Sequence, residues 1–273
     1  MTRRLARTDA GTLAGRTIVV TRPRAQSGDL VRALEARGAR ALVAPAIRLV
    51  PAPAKALDPA VDAAAAGRFA WVVFTSAAGV EAVFDRLRSG RARRRSLRAK
   101  VAAVGEGTAA SLRARGVRPD LVPATFTTEA LGRAMPRGRG EVLLARADVA
   151  PEGLERALSA KGWSPVRVDA YRTRDVRTLP RTVQRALLRG EVDAVTFTSA
   201  STVRGFVRAA GPMLRHPVVQ RRHVPAVVCI GPVTSREARL AGLQVRAVGR
   251  PHTIEGLVAA LERTLGAGAN AKE

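Results

Sequence analysis

The chain contains the same pattern twice, and this duplication constrains its fold more than any other feature. Thr17–Arg22 (TIVVTR) aligns with Glu141–Arg146 (EVLLAR) at an offset of 124 residues (146 − 22). The same offset pairs Leu30 with Leu154, Ala33-Leu34 with Ala157-Leu158, and Gly38 with Gly162. Further on, Trp71–Ala77 (WVVFTSA) resembles Ala194–Ala200 (AVTFTSA), Val104–Thr108 (VGEGT) resembles Ile230–Thr234 (IGPVT), and Thr127–Leu131 resembles Thr253–Leu257. The order is kept and the offset drifts by only a few residues, which chance matches would not do.

Each copy reads as a β-branched run (17–21; 141–145), an amphipathic helix (27–38; 152–162) that stops at Gly38 or Gly162, and a second apolar run (41–46; 165–170). After a break come strand (71–74; 194–197), helix (78–88; 201–210), strand (101–104; 226–230), helix (107–115; 234–241), strand (118–122; 244–248) and helix (127–135; 253–264). Strands alternating with helices predict an α/β protein with two similar parallel-sheet, flavodoxin- or Rossmann-like domains. Ligands of such sheets bind at the carboxyl ends of strands, where loops meet helix N-termini. The candidate residues are therefore Arg22 and Arg146, Thr75-Ser76 and Thr198-Ser199, Gly105–Thr108 (which includes Gly107), and Gly231–Thr234. Leu49–Pro59 and Arg172–Pro180 read as linkers, and the arginine-dense Arg88–Lys100 as an exposed loop.

A chain of 273 residues suits one large domain or two ordinary ones. Hydrophobic residues make up 47% but aromatics only 3%, so Ala, Val and Leu must fill the core. The formal charge of +25 concentrates anions. Only four basic residues are lysines (Lys55, Lys100, Lys161, Lys272), so an arginine-favouring genome accounts for at least half of the excess. The single cysteine, Cys229, excludes a disulfide framework and reads as a buried thiol. His216, His223 and His252 lack ligand spacing, so no metal is expected. Residues 1–15 lack the apolar segment of a secretory signal, residues 266–273 should fray, and no stretch approaches the ~20 apolar residues of a membrane span. A cytoplasmic protein without membrane contact is expected.

Each motif also has a plain structural explanation. Gly105–Ala110 has the G-x-G-x-x-A spacing of a dinucleotide loop, but the acidic residue expected about 20 positions on is missing. A tight turn and a helix start account for it, and that start is also a good carboxylate site. The Thr-Ser pairs can be helix caps, anion ligands, or both. Tyr171, the only tyrosine, can be a packing plug or a proton donor. Asp148, Asp169 and Asp193 are adequately explained as turn or cap residues.

Taken together, Thr21-Arg22-Pro23, Phe74–Ser76, Val104-Gly105, Phe197–Ser199, Ile230–Thr234 and Pro251–Thr253 resemble the uroporphyrinogen-III synthases, over residues 15–265. The resemblance implies two α/β domains joined by a two-stranded β linker: 1–47 with 174–273, and 51–170, with 48–50 and 171–173 as linker strands. It implies conversion of hydroxymethylbilane, a linear tetrapyrrole bearing acetate and propionate arms, into uroporphyrinogen III. Water is lost, and the last ring is inverted through a spiro intermediate. The enzyme's task would be mainly to position the substrate. Tyr171 matches the family's tyrosine proposed to help the hydroxyl depart, Thr108 and Thr234 match its cleft threonines, and Ser76 and Ser199 its cleft-edge residues. No cofactor is implied. A monomer is expected, with transient contact to porphobilinogen deaminase as a further partner. Glu106 departs from the pattern by placing a carboxylate near an anion site.

Two rival readings rest on other features. A nucleic-acid-binding protein would use the arginine excess, but scarce aromatics and the lack of a helix-turn-helix or zinc pattern oppose it. A nucleotide-dependent enzyme would use Gly105–Ala110.

Overall fold

The strands form where β-branched and aromatic residues run uninterrupted, and the helices where apolar residues recur every three or four positions. The structure is a computed structural model that describes residues 11–89, 97–214 and 224–266. The basic start of the chain, the arginine cluster at 91–95, His216, His223 and the polar end lie outside the described residues. The chain divides into two units, Met1–Arg48 with Arg174–Glu273, and Leu49–Thr173.

The discontinuous unit carries the sheet β10-β9-β8-β1-β2, built from β1 (Thr17–Val20), β2 (Arg40–Val43), β8 (Ala194–Phe197), β9 (Ala226–Cys229) and β10 (Val245–Val248). All neighbours are parallel, with Ile18 opposite both Ala41 and Ala194. Helices cover both faces, as a parallel sheet requires. On one face α7 (Arg181–Arg189), α8 (Ala200–Leu214) and α9 (Pro232–Leu240) enclose Val19, Val195, Phe197, Phe206 and Cys229. On the other, α1 (Gly28–Glu35) and α10 (Ile254–Gly266) enclose Ile18, Val20, Leu30, Leu34, Leu257 and Leu261.

The continuous unit carries β3-β7-β6-β4-β5, from β3 (Ile47–Pro51), β4 (Trp71–Phe74), β5 (Lys100–Ala103), β6 (Glu141–Ala147) and β7 (Ser164–Asp175). From β5 through β7 the pairing is parallel. One core lies under α2 (Ala54–Ala65), α3 (Ala77–Ser89) and α4 (Glu106–Ala114); the other lies under α5 (Thr128–Ala134) and α6 (Gly153–Ser159). The two sheets match when the repeat is followed: β2-β1-β8-β9 corresponds to β7-β6-β4-β5. Each sheet thus joins the first β-α-β of one copy to the remainder of the other.

Two expectations need correction, and one helix lies where none was expected. No strand forms over 118–122; only Leu121 bridges to Ala102, because Pro119 and Pro123 withhold N–H donors on either side. The supposed linker 49–59 enters α2, whose many alanines favour helix despite Pro59. Beyond the second linker, α7 was missed although Val183, Ala186 and Leu187 have helical spacing. Packing is close where α8 crosses the sheet: a Cβ on Gly205 would lie 2.2 Å from the Ala46 carbonyl oxygen. Gly205→Ala should therefore cost about 1–3 kcal/mol in a denaturant titration, since backbone rather than a mobile side chain must yield.

Candidate active-site edges

Strand β4 delivers Thr75 and Ser76 to the carboxyl edge of the continuous unit, where the chain turns into α3. Ser76 caps the helix: its Oγ accepts from the Gly79 N–H at 3.1 Å, and its carbonyl accepts from Val80. A second donor reaches the same oxygen, the Tyr171 hydroxyl at 3.0 Å. Strict alternation along β7 would put Tyr171 on the face opposite Ala170. A bulge intervenes: Asp169 pairs with Arg146 but Tyr171 pairs with Ala147, so Ala170 is the extra residue. Tyr171 accordingly packs with Val168 and Ala170 in the core under α2, α3 and α4. Asp148 fixes this end of β7, its N–H donating to the Tyr171 carbonyl and its carboxylate accepting from the Thr173 N–H at 2.9 Å. Burial pushes the Tyr171 pKa above its ordinary value, opposed in part by Ser76, so the phenol is protonated at neutral pH.

Helix α4 starts at the neighbouring loop. A Cβ on Gly105 would lie 2.8 Å from Phe126, so packing explains this glycine without a phosphate, whereas Gly107 faces open space. Thr108 is buried, yet its hydroxyl has no partner among the described residues. The Glu106 carboxylate is held by Arg113 one side of the helix further on, which answers its charge.

In the discontinuous unit, Thr21 Oγ1 donates to the Thr196 carbonyl at 2.7 Å and fixes the end of β1. Arg22 follows, partly buried and without a hydrogen bond or ion pair among the described residues. Desolvation lowers its pKa, and Asp29 opposes that only through space. Ser199 caps α8, its Oγ accepting from the Thr202 N–H at 3.2 Å and contacting Ser201 Oγ at 3.0 Å. Gly231 opens α9 beside His252, whose Nδ1 lies 2.8 Å from the Gly249 carbonyl oxygen. Thr234 is buried with no hydroxyl partner among the described residues, as Thr108 is.

The family model for uroporphyrinogen-III synthase HemD matches residues 28–259. The chain belongs to the uroporphyrinogen-III synthase family. A uroporphyrinogen-III synthase of Synechococcus elongatus is 31% identical over 92% of this chain and 96% of its own. The porphyrin biosynthesis protein HemD of Ruminiclostridium josui is 32% identical over 90% of this chain, which spans 48% of that longer protein. Among solved structures, a mutant uroporphyrinogen III synthase of Thermus thermophilus superposes with TM-score 0.62 at 23% identity, covering 92% of this chain and 98% of that one. A uroporphyrinogen-III synthetase of Helicobacter pylori gives 0.57 at 18% identity, covering 92% and 99%. These last two establish the shared two-domain α/β fold. The chain is therefore an enzyme of porphyrin biosynthesis, a cyclising lyase. No helix among the described residues is long and apolar enough to cross a membrane.

The carboxyl edges of the two sheets differ at equivalent positions of the repeat. Arg22 and Arg146 are equivalent in the repeat but differ in surroundings. Arg146 is 2% exposed, with Nη1 at 2.8 and 2.6 Å from the Glu155 carboxylate oxygens and 2.8 Å from the Pro151 carbonyl. Arg146 thus has an internal carboxylate partner, although its Nε is buried with no hydrogen-bond partner among the described residues. The residue matching Glu155 in the first copy is Val31, so Arg22 has no such partner. Sequence reasoning also overlooked Arg167, which donates to the carbonyls of Ala147, Asp148 and Ala150 and so ties down the loop after β6. Thr75 and Thr198 lie half-buried at the two edges beside their serines. Cys229 is buried in β9 with its thiol pKa pushed up to about 12, which leaves it inert at neutral pH.

Proposed function

We propose that the chain closes hydroxymethylbilane to uroporphyrinogen III, with Tyr171 assisting departure of the terminal hydroxyl. The observation that carries this reading is the bulge in β7, which turns the only phenol of the chain to the carboxyl edge and joins it to Ser76. The C–O bond breaks with its electron pair leaving on oxygen, which takes the phenolic proton and departs as water. Electrons from the pyrrole nitrogen make the azafulvenium that the far ring attacks at its substituted carbon, giving the spiro intermediate. The substrate supplies most of this reactivity, and the protein supplies positioning.

The acetate and propionate arms need cations and N–H donors. Arg22, the starts of α3, α4, α8 and α9, and the hydroxyls of Thr108 and Thr234 have the right chemistry. Ser76, Ser199, Thr75, Thr198, Gly107 and Gly231 complete the proposed set. The enzyme acts as a monomer and receives its labile substrate from porphobilinogen deaminase by transient contact. A coupled assay tests the reading: deaminase supplies bilane, and the oxidised porphyrins are separated into isomers I and III. Isomer III that depends on this protein is expected; isomer I alone from a folded sample would refute it. Arg22→Gln should raise KM about ten- to a hundredfold, the worth of a charge-assisted hydrogen bond, while kcat changes less than about twofold. An unchanged KM would remove Arg22 from the set.

A further inference from the structure

Ser76 Oγ receives two hydrogen bonds, from the Gly79 N–H and from the Tyr171 hydroxyl. Both of its lone pairs are then used, and the only proton of Tyr171 points back into the protein rather than towards a ligand. A phenol in that state can accept but not donate. Two hydroxyls in contact can reverse their shared bond without moving a heavy atom, because hydroxyl hydrogens rotate. After reversal, the Gly79 N–H still donates to Ser76, the Ser76 O–H donates to Tyr171, and the Tyr171 proton is released outward.

We propose that Ser76 is a positioning residue for Tyr171, the middle of a relay that runs from the first turn of α3 through two hydroxyls to the departing oxygen of the substrate. This rests on the reading of Tyr171 given above. The relay has a direction because its inner end is fixed. Gly79 is a backbone donor at a helix start, where the partial charge is positive. The same glycine lets that turn sit close to β6, since a Cβ there would lie 3.0 Å from the Ala145 carbonyl oxygen. The outer end is fixed by the bulge and by Asp148, which together hold Tyr171 and leave little freedom to compensate for a lost partner. When the phenol gives up its proton to the leaving hydroxyl, the phenolate keeps the Ser76 O–H as donor. Chained hydrogen bonds polarise one another in this sense. The repeat gives a control inside the molecule. Ser199 caps α8 in the same way, but Ile47 stands where the repeat places Tyr171, and the Ser199 hydroxyl turns to Ser201 and Thr202 instead.

Tyr171 is the only tyrosine in the chain, so tyrosinate absorbance reads this one group without any assay of activity. Ser76 opposes the upward pull of burial on the phenol, so in Ser76→Ala the titration should move to higher pH, and in Ser76→Thr it should return. In the deaminase-coupled assay Ser76→Ala should lower kcat about tenfold, a larger factor than any rise in KM from losing a cleft-edge hydroxyl. It should add almost nothing on top of Tyr171→Phe, the signature of one residue acting through another. Thermal melts of each variant guard against loss of the α3 cap. An unmoved titration, or a full additional loss in the Tyr171→Phe background, would overturn the relay while leaving the phenol reading intact. Full activity in Tyr171→Phe would instead sink the phenol reading, and the catalytic use of the relay with it.

Discussion

Replacing Tyr171 with phenylalanine should lower kcat for isomer III about a hundredfold and shift the product mixture towards isomer I. The hundredfold figure is the lower end of what a positioned proton donor contributes, about 10²–10⁴. The lower end applies because the pyrrole nitrogen already pushes the hydroxyl out. The product shift follows because spontaneous head-to-tail closure competes with any slowed enzymatic step. The pH dependence has a definite sign. Burial raises the phenol pKa, so the donor form persists through neutrality and the rate should be flat there. A decline belongs only above the ordinary tyrosine range, and the phenylalanine variant should lack that alkaline limb. An unchanged rate and an unchanged isomer ratio would eliminate Tyr171 from the chemistry.

Arg146→Ala should destabilise the protein by about 3 kcal/mol, the low end of the 3–5 kcal/mol seen when one partner of a buried ion pair is removed. The low end is chosen because Glu155, 15% exposed, keeps a second cation in Arg167 at 3.6 Å. Replacing both partners with apolar residues, Arg146→Met with Glu155→Leu, should recover much of the loss, because no charge is then left unpaired. Urea titrations measure both. The same variants separate structure from substrate binding: KM for bilane should hold in whatever fraction stays folded. A KM that rose as steeply as it should for Arg22→Gln would make Arg146 a substrate ligand beside Arg22.

These two arginines show what the sequence could and could not disclose. Their equivalence was visible in the repeat, as were the strand ends that carry them, because periodicity and order are local properties. Their divergence depends on one residue of the following helix, Glu155 in one copy and Val31 in the other, and composition gives no reason to compare those positions. Tyr171 shows the same limit. Alternation along β7 predicts the wrong face for it, and only the register of β7 against β6 exposes the bulge. The exchange of half-copies between the sheets was equally silent, since β1 carries the same apolar signature whether it pairs with β4 or with β8. Conversely, α2 and α7 have the apolar spacing of helices, although Pro59 lies inside the first and polar residues lead into the second.

That exchange bears on the order in which the protein can be made. Residues 49–173 form their unit from one unbroken stretch and can close before β8, β9 and β10 are synthesised. Strands β1 and β2 precede that stretch, yet β1 finds β8 only 176 positions later (194 − 18). β1 can pair with β2 at once, but its other edge stays open until β8 is made. Until then they present an open apolar edge, and a ribosome stalled between the two halves would release a chain with one finished unit and one adhesive strand pair.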